Sequence, residues 1–230
     1  MHKVPSKATL ANMGVVFLLC NWFIAALAGG TIAQAEQPLR IVVLGDSLVA
    51  GLGLKASDAF PAQLERALKA RGHVVEVINA GVSGDTTAGG LARVAWAVPE
   101  QTDAVILELG ANDALRGLDP ARARSNLDKI ITTIRANGAE VLVAGMFAPR
   151  SLGKDYVRAF ESIYPDLAKK YALLLYPFFL QGVAMDPKLN LDDGLHPNAQ
   201  GVAEITKNIL PAVEQLIERA RAKHATATKG

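Results

Sequence analysis

The chain has 230 residues, half of them hydrophobic, with 24 lysines and arginines against 22 acidic residues. Residues 1–35 hold two of the lysines, Lys3 and Lys7, and no acid, so the remainder balances at 22 against 22 and implies no field suited to nucleic acid or to a membrane surface. The single cysteine, Cys20, falls in the same stretch, which leaves the rest with no disulfide, thiolate metal site or cysteine nucleophile.

His2, Lys3 and Lys7 give a weakly basic start, Met13–Ala28 is apolar apart from Asn21, and Ala33-Gln34-Ala35 offers small residues for cleavage. This is the pattern of a secretory signal peptide over residues 1–35, cut after Ala35, and it predicts a periplasmic or secreted protein. An uncleaved anchor is the alternative, but the apolar core falls short of the roughly 20 residues a span needs. Leu19, rather than a small residue, precedes Cys20 and disfavours a lipid anchor. The mature chain is expected to make no stable insertion into a membrane. Its domain should cover residues 36–221, with residues 222–230 (AKHATATKG) as a frayed tail.

Past the signal, apolar runs alternate with helical patterns. A first strand over Leu39–Leu44 stops at Gly45-Asp46-Ser47, within VVLGDSLVAGLGL (Val42–Leu54). Phe60, Leu64, Ala67 and Leu68 then recur at helical spacing. A second strand over Val74–Ile78 leads into Ala80–Thr86, and a third over Ala104–Leu109 leads into Gly110-Ala111-Asn112-Asp113. Leu127, Ile130, Ile131 and Ile134 mark another helix, followed by strands at Val141–Ala144 and Leu173–Leu175. The last helix carries Val202, Ile205, Ile209, Val213, Leu216 and Ile217, with Pro197 suited to its first turn and Pro211 expected to kink or divide it. The strands read as buried on both faces. Repeated strand–helix units predict a parallel α/β sheet with right-handed crossovers and helices on both faces. Ligands bind such sheets beyond the carboxyl ends of the strands, where the loops after the first three strands lie.

Ser47 could belong to a phosphate-binding turn or be held out for chemistry. Gly45–Gly53 lacks the G-x-G-x-x-G spacing, and no Gly-Lys-Ser/Thr follows. A lone serine after a strand is usually a helix cap, so a nucleophile needs a base. Of the four histidines, His2 leaves with the signal, His224 lies in the polar tail, and His73 precedes a strand at the opposite sheet edge. His196 remains, just before the final helix, where its plain reading is a helix-entry residue. Asp193, three residues earlier, can reach one ring nitrogen and leave the other to take a proton from Ser47; Asp192 fits that role less well. Gly84 can offer a backbone N–H and Asn112 an amide N–H to an oxyanion, although a turn glycine and a turn asparagine are their plain readings. Asp85 or Thr86 is expected to cap the next helix, and Asp46 is given no catalytic role. Leu115, Leu118, Met146, Phe147, Pro149, Leu152 and Tyr156 could line an apolar acyl groove, with Leu115, Leu118, Pro149 and Leu152 as substrate-binding candidates, or could simply cover the sheet edge. Phe178-Phe179-Leu180 fits groove wall and core equally.

Gly45-Asp46-Ser47-Leu48, Gly84 within Asn79–Thr86, Asn112 within Gly110–Asp113, and Asp193-Gly194-Leu195-His196 resemble, in order, blocks I, II, III and V of the GDSL, or SGNH, hydrolase superfamily. The stretches Ile106–Leu118 and Asn190–Asn198 are most similar to its bacterial thioesterase I, lysophospholipase and arylesterase group. The resemblance implies a three-layer α/β/α, flavodoxin-like fold with a five-stranded parallel sheet in the order 2-1-3-4-5. It implies Ser47 as nucleophile, His196 as base and then acid, and Asp193 orienting it. The Ser47 and Gly84 N–H groups and the Asn112 side chain would form the oxyanion hole. It further implies a small ester or acyl-lipid substrate, no nucleic-acid partner and no metal or organic cofactor, and leaves the oligomeric state open. A carbohydrate O-acetylesterase on the same fold is the alternative; it would want aromatic platforms in a shallow polar site, and Trp96 is the only tryptophan beyond the signal. A non-catalytic binding protein would have dispensed with Ser47, His196 or Asn112.

Overall fold

Five apolar segments pair as parallel strands in the computed structural model, which describes residues 37–227; the signal peptide assigned to residues 1–35 lies outside them. The strands are Leu39–Gly45 (β1), Val75–Gly81 (β2), Ala104–Glu108 (β3), Glu140–Ala144 (β4) and Leu174–Tyr176 (β5). They are ordered β2-β1-β3-β4-β5, the order expected. Burial on both faces holds for β1, β3 and β4, whereas β2 and β5 are half-buried, because an edge strand has a neighbour on one side only. β2 continues past Ile78, since Asn79, Ala80 and Gly81 pair with Val43, Leu44 and Gly45. Gly81 fits there because a Cβ would collide with the Ala50 backbone. Leu44 pairs with Ala80 on one side and Leu107 on the other, so the loops after β1, β2 and β3 leave the sheet side by side.

The helices are Ser47–Ala50 (α1), Phe60–Ala70 (α2), Thr87–Ala97 (α3), Ala111–Leu115 (α4), Pro120–Ala136 (α5), Lys154–Glu161 (α6), Ile163–Tyr171 (α7) and Ala199–Ala227 (α8). α2 packs with α8, and α3 with α5. Their apolar stripes face inward: Phe60, Leu64 and Leu68 on α2, Leu127, Ile130, Ile131 and Ile134 on α5, and Val202, Ile205, Ile209, Val213, Leu216 and Ile217 on α8 are all buried. Burying each such large side chain contributes roughly 1.5–3 kcal/mol. Phe60 meets Phe179 edge-on at 5.0 Å between ring centroids, which places Phe179 in the core.

The last helix departs from expectation in three ways. Pro197 precedes it and bridges Asn190; the cap is Asn198, whose side-chain oxygen accepts from the Gln200 and Gly201 N–H groups at 3.0 Å each. Pro211 lies inside the helix without dividing it. The carbonyl deprived of its donor belongs to Lys207, an exposed residue on the outer face of the helix. Finally, the helix runs on to Ala227, and His224 Nε2 lies 2.8 Å from Asp103 Oδ1, so the tail expected from residue 222 is largely helix. No helix among the described residues is long and apolar enough to cross a membrane.

Candidate active site

Ser47 begins α1 directly beyond β1 and is buried. The turn is closed by Asp46, whose carboxylate accepts from the Leu48 N–H at 3.0 Å, as an N-cap residue does. Gly51 ends the one-turn helix in the left-handed region at φ 80° and donates its N–H to the Ser47 carbonyl. Gly45, before the turn, has no room for a side chain: a Cβ would strike Val49 and the Glu108 carboxyl. The serine therefore stands on a short, closed platform with no G-x-S-x-G elbow.

The base reaches it from the far end of the chain. His196 Nε2 lies 2.9 Å from Ser47 Oγ, and His196 Nδ1 lies 2.6 Å from Asp193 Oδ2. The other Asp193 oxygen accepts from the Leu195 and His196 backbone N–H groups at 2.9 and 3.0 Å. The three-residue spacing thus lets one carboxylate close its own turn and hold the ring. The N–H groups of His196 and Leu195, and then the imidazole, hold the Asp193 carboxyl down at about 2. Being ionised, Asp193 can only accept, so the Nδ1 proton points at it and Nε2 is left as acceptor for the Ser47 hydroxyl. The loop is fastened at both ends. The Asn190 amide donates to the Val183 and Asp186 carbonyls at 2.7 Å each, and the Asn198 amide donates to the Lys188 carbonyl at 2.9 Å.

Asn112 is on α4, beside this pair. Its amide nitrogen donates to the Asp85 carbonyl at 2.9 Å and to Asp46 Oδ2 at 3.1 Å. Gly84, next to Asp85, occupies the third position of a turn closed by the Asp85 N–H on the Val82 carbonyl. Its φ of 82° is the left-handed value that favours glycine there. Thr86 caps α3 through the Gly89 N–H, while Asp85 pairs with Arg93 at 2.6 Å, which settles the capping question in favour of Thr86. Asp113, buried after Asn112, accepts from the Thr87 N–H and hydroxyl at 2.7 Å each and ties α4 to α3.

Two further residues went unseen in the sequence. Arg93, buried on α3, donates to the Gly45 and Ala80 carbonyls at 2.8 Å each besides pairing with Asp85. It lashes the ends of β1 and β2 to the Gly84 loop; a lone arginine in a helical pattern gives no such signal. Glu108, fully buried at the end of β3, accepts from the Asp46 N–H at 3.2 Å. An acid inside a strand otherwise buried on both faces was the signal that could have found it. Burial pushes the Glu108 carboxyl well above the usual range, and the neighbouring Asp46 charge adds to this. Burial likewise raises Asp46 to about 6, against the pull of the Leu48 N–H and the Asn112 amide. The two acids together resist carrying two charges.

Ser47, Asn112 and His196 open onto a cavity of about 390 Å³ whose lining is mostly apolar. Leu115, Met146, Phe147 and Pro149 line it as anticipated, joined by Phe178 and Leu180. Phe147 and Phe178 stack at 4.2 Å with 10° between their planes, so of the trio left unassigned Phe178 and Leu180 are wall. Leu118 and Leu152, expected as substrate contacts, lie outside this lining. The Leu118 carbonyl instead accepts from the Tyr156 hydroxyl at 2.7 Å, and Leu152 packs near Gly117. Met185 and Leu195, 90% and 53% exposed, form part of the lining unanticipated in the sequence. Gly84 is not in the lining, and Trp96, 71% exposed on α3, is not either.

A model of the GDSL-like lipase/acylhydrolase family matches residues 43–204. An arylesterase of Vibrio mimicus is 43% identical over 169 residues, covering 73% of this chain and 84% of the relative. The thioesterase 1/protease 1/lysophospholipase L1 of Escherichia coli K12 is 41% identical over 166 residues, covering 72% and 78%. Among solved structures, AlinE4, an SGNH-hydrolase family esterase, superposes with a TM-score of 0.67 at 45% identity, covering 79% of this chain and 98% of that one.

Proposed function

This chain belongs to the GDSL-like lipase/acylhydrolase family, and from that premise we propose that its Ser47, His196 and Asp193 form the triad of a serine esterase working through an acyl-enzyme. The protein is a carboxylic-ester hydrolase. The observation that carries the triad is the chain of contacts from Ser47 Oγ to His196 Nε2 at 2.9 Å and from Nδ1 to Asp193 at 2.6 Å, at the mouth of an apolar cavity.

In this mechanism Ser47 Oγ attacks the ester carbonyl carbon while its proton passes to His196 Nε2. The imidazolium so formed is stabilised by the Asp193 carboxylate. The carbonyl oxygen becomes an oxyanion and takes hydrogen bonds from the Ser47 and Gly84 backbone N–H groups and the Asn112 amide. Collapse breaks the bond to the leaving alcohol or thiol, which receives the proton from His196. Water then enters, gives a proton to His196 and releases the acid by the same path in reverse.

The cavity suits the acyl side of the substrate. Each methylene buried against Leu115, Phe147 or Phe178 contributes about 0.8 kcal/mol, or about fourfold in kcat/KM if the contact is made fully in the transition state. For p-nitrophenyl esters from acetate upward, kcat/KM is therefore expected to climb severalfold per added carbon until the cavity is full. Acyl-lipid substrates follow from such a profile. A maximum at acetate would refute the acyl-groove reading and favour the carbohydrate O-acetylesterase.

Export is proposed from residues 1–35 alone. The full chain expressed in a Gram-negative host is expected in the periplasmic fraction with Glu36 at its amino terminus. Recovery of cytoplasmic protein still beginning at Met1 would count against it.

A further inference from the structure

The amide nitrogen of Asn112 has two hydrogens, and in the free protein both are engaged, one by the Asp85 carbonyl and one by the Asp46 carboxylate. Both partners are acceptors. They therefore decide which end of the amide faces the serine: turning the side chain over would set its oxygen against two other oxygens. Asp46 contributes more to this than a second anchor. Its other oxygen is bound to the Leu48 N–H, its own N–H is bound to Glu108, and it is 1% exposed. Its carboxylate is thus fixed by the turn that carries Ser47, and Asn112 is referenced to the nucleophile through it.

We propose that Asp46 is a positioning residue of the oxyanion hole, keeping the nitrogen rather than the oxygen of the Asn112 amide on the side of the Ser47 turn while the hydrogen now given to the Asp85 carbonyl is released to the oxyanion, and that Glu108 secures Asp46 through its backbone N–H. This rests on the assignment of Asn112 to the hole. Asp46 borders the cavity, but it is 1% exposed and both of its carboxylate oxygens are taken by the Leu48 N–H and the Asn112 amide, so its removal should act through Asn112, lowering kcat with little change in KM and only while Asn112 is present. Electrostatic preorganisation requires donors aimed before charge develops, and an amide free to turn over loses that.

The test is a double-mutant cycle on a soluble p-nitrophenyl ester, with kcat and KM measured separately. Asp46→Asn retains an oxygen for the Leu48 N–H but turns a donor toward the Asn112 amide. Asp46→Ser retains a capping oxygen too short to reach Asn112, and serves if the first variant folds poorly. Asn112→Ala alone should lose on the order of 10² to 10³ in kcat. Either Asp46 variant should lose about tenfold or more in the wild-type background with KM within about twofold, and less than about twofold in the Asn112→Ala background. The same loss in both backgrounds, or no loss in the first, overturns the inference while leaving the hole intact. Full activity in Asn112→Ala alone overturns the hole and this inference with it.

Discussion

Ser47→Ala is expected to abolish ester hydrolysis, lowering kcat by about 10⁶-fold, with His196→Ala falling to a similar floor and the double variant no lower. The loss is expected to be non-additive because the two groups perform one step. Without the serine oxygen there is no atom for the acyl group to join, and without Nε2 the hydroxyl proton has nowhere to go. Folding should be spared. Ser47 is buried, and among the described residues its hydroxyl bonds to the His196 side chain alone, while the cap of its turn is made by Asp46. The alanine variant should therefore melt within a few degrees of wild type, the shift that about 1 kcal/mol produces in a domain of this size. Reaction with an organophosphonate gives the same answer by an independent route: Ser47 should be labelled stoichiometrically in the wild type and left unlabelled in His196→Ala on the same timescale. Esterase activity above about one part in a thousand in Ser47→Ala, well beyond the residue left by the oxyanion hole, would mean that another group is the nucleophile.

What could be read in advance was whatever is written locally. The stripe from Val202 to Ile217 has helical spacing because one face of α8 packs inward, and every one of those side chains is buried. Asp193 and His196 were readable as a pair because a carboxylate three residues before a ring can close its own turn and reach Nδ1, with no information needed from elsewhere. The sheet order followed from the resemblance alone, while strand–helix alternation spoke only for a parallel sheet. The illegible parts depend on contacts between distant segments. Arg93 looks like a surface arginine until α3 brings it under the ends of β1 and β2. Asp46 appeared to be only a turn residue because its second partner, Asn112, is 66 residues away. Leu118 and Leu152 are hydrophobic residues in the right loops, but hydrophobicity does not state a direction, and Phe178 and Leu180 take up the lining instead. The helix beyond residue 221 was missed because its polar composition reads as a tail, while its register with Asp103 lies outside any local pattern.

Asp193→Asn is expected to lose about 10⁴-fold in kcat while keeping its fold. The side-chain oxygen of asparagine can still accept from the Leu195 and His196 N–H groups, so the turn survives. What changes is the group facing Nδ1: a carboxylate that accepts becomes an amide that donates. Nδ1 must then turn acceptor, the ring proton moves to Nε2, and the nitrogen facing Ser47 can no longer take the hydroxyl proton. Asp193→Ala should fall about as far by a different path, since it removes both the orienting charge and the acceptor that closes the turn. The two variants separate in stability. The Asp193 carboxyl is held below its unfolded value of 3.8, at about 2. Its contribution is therefore fully present above pH 4 and is lost as pH falls through 2. The gap in Tm between wild type and Asp193→Ala should accordingly be open at pH 7 and narrow steadily from pH 4 toward pH 2. Asp193→Asn should stay closer to wild type at pH 7. An Asp193→Asn enzyme that keeps more than about a tenth of wild-type kcat would show that the carboxylate is not what fixes the ring, and Asp192, on the same loop, would be the next residue to replace.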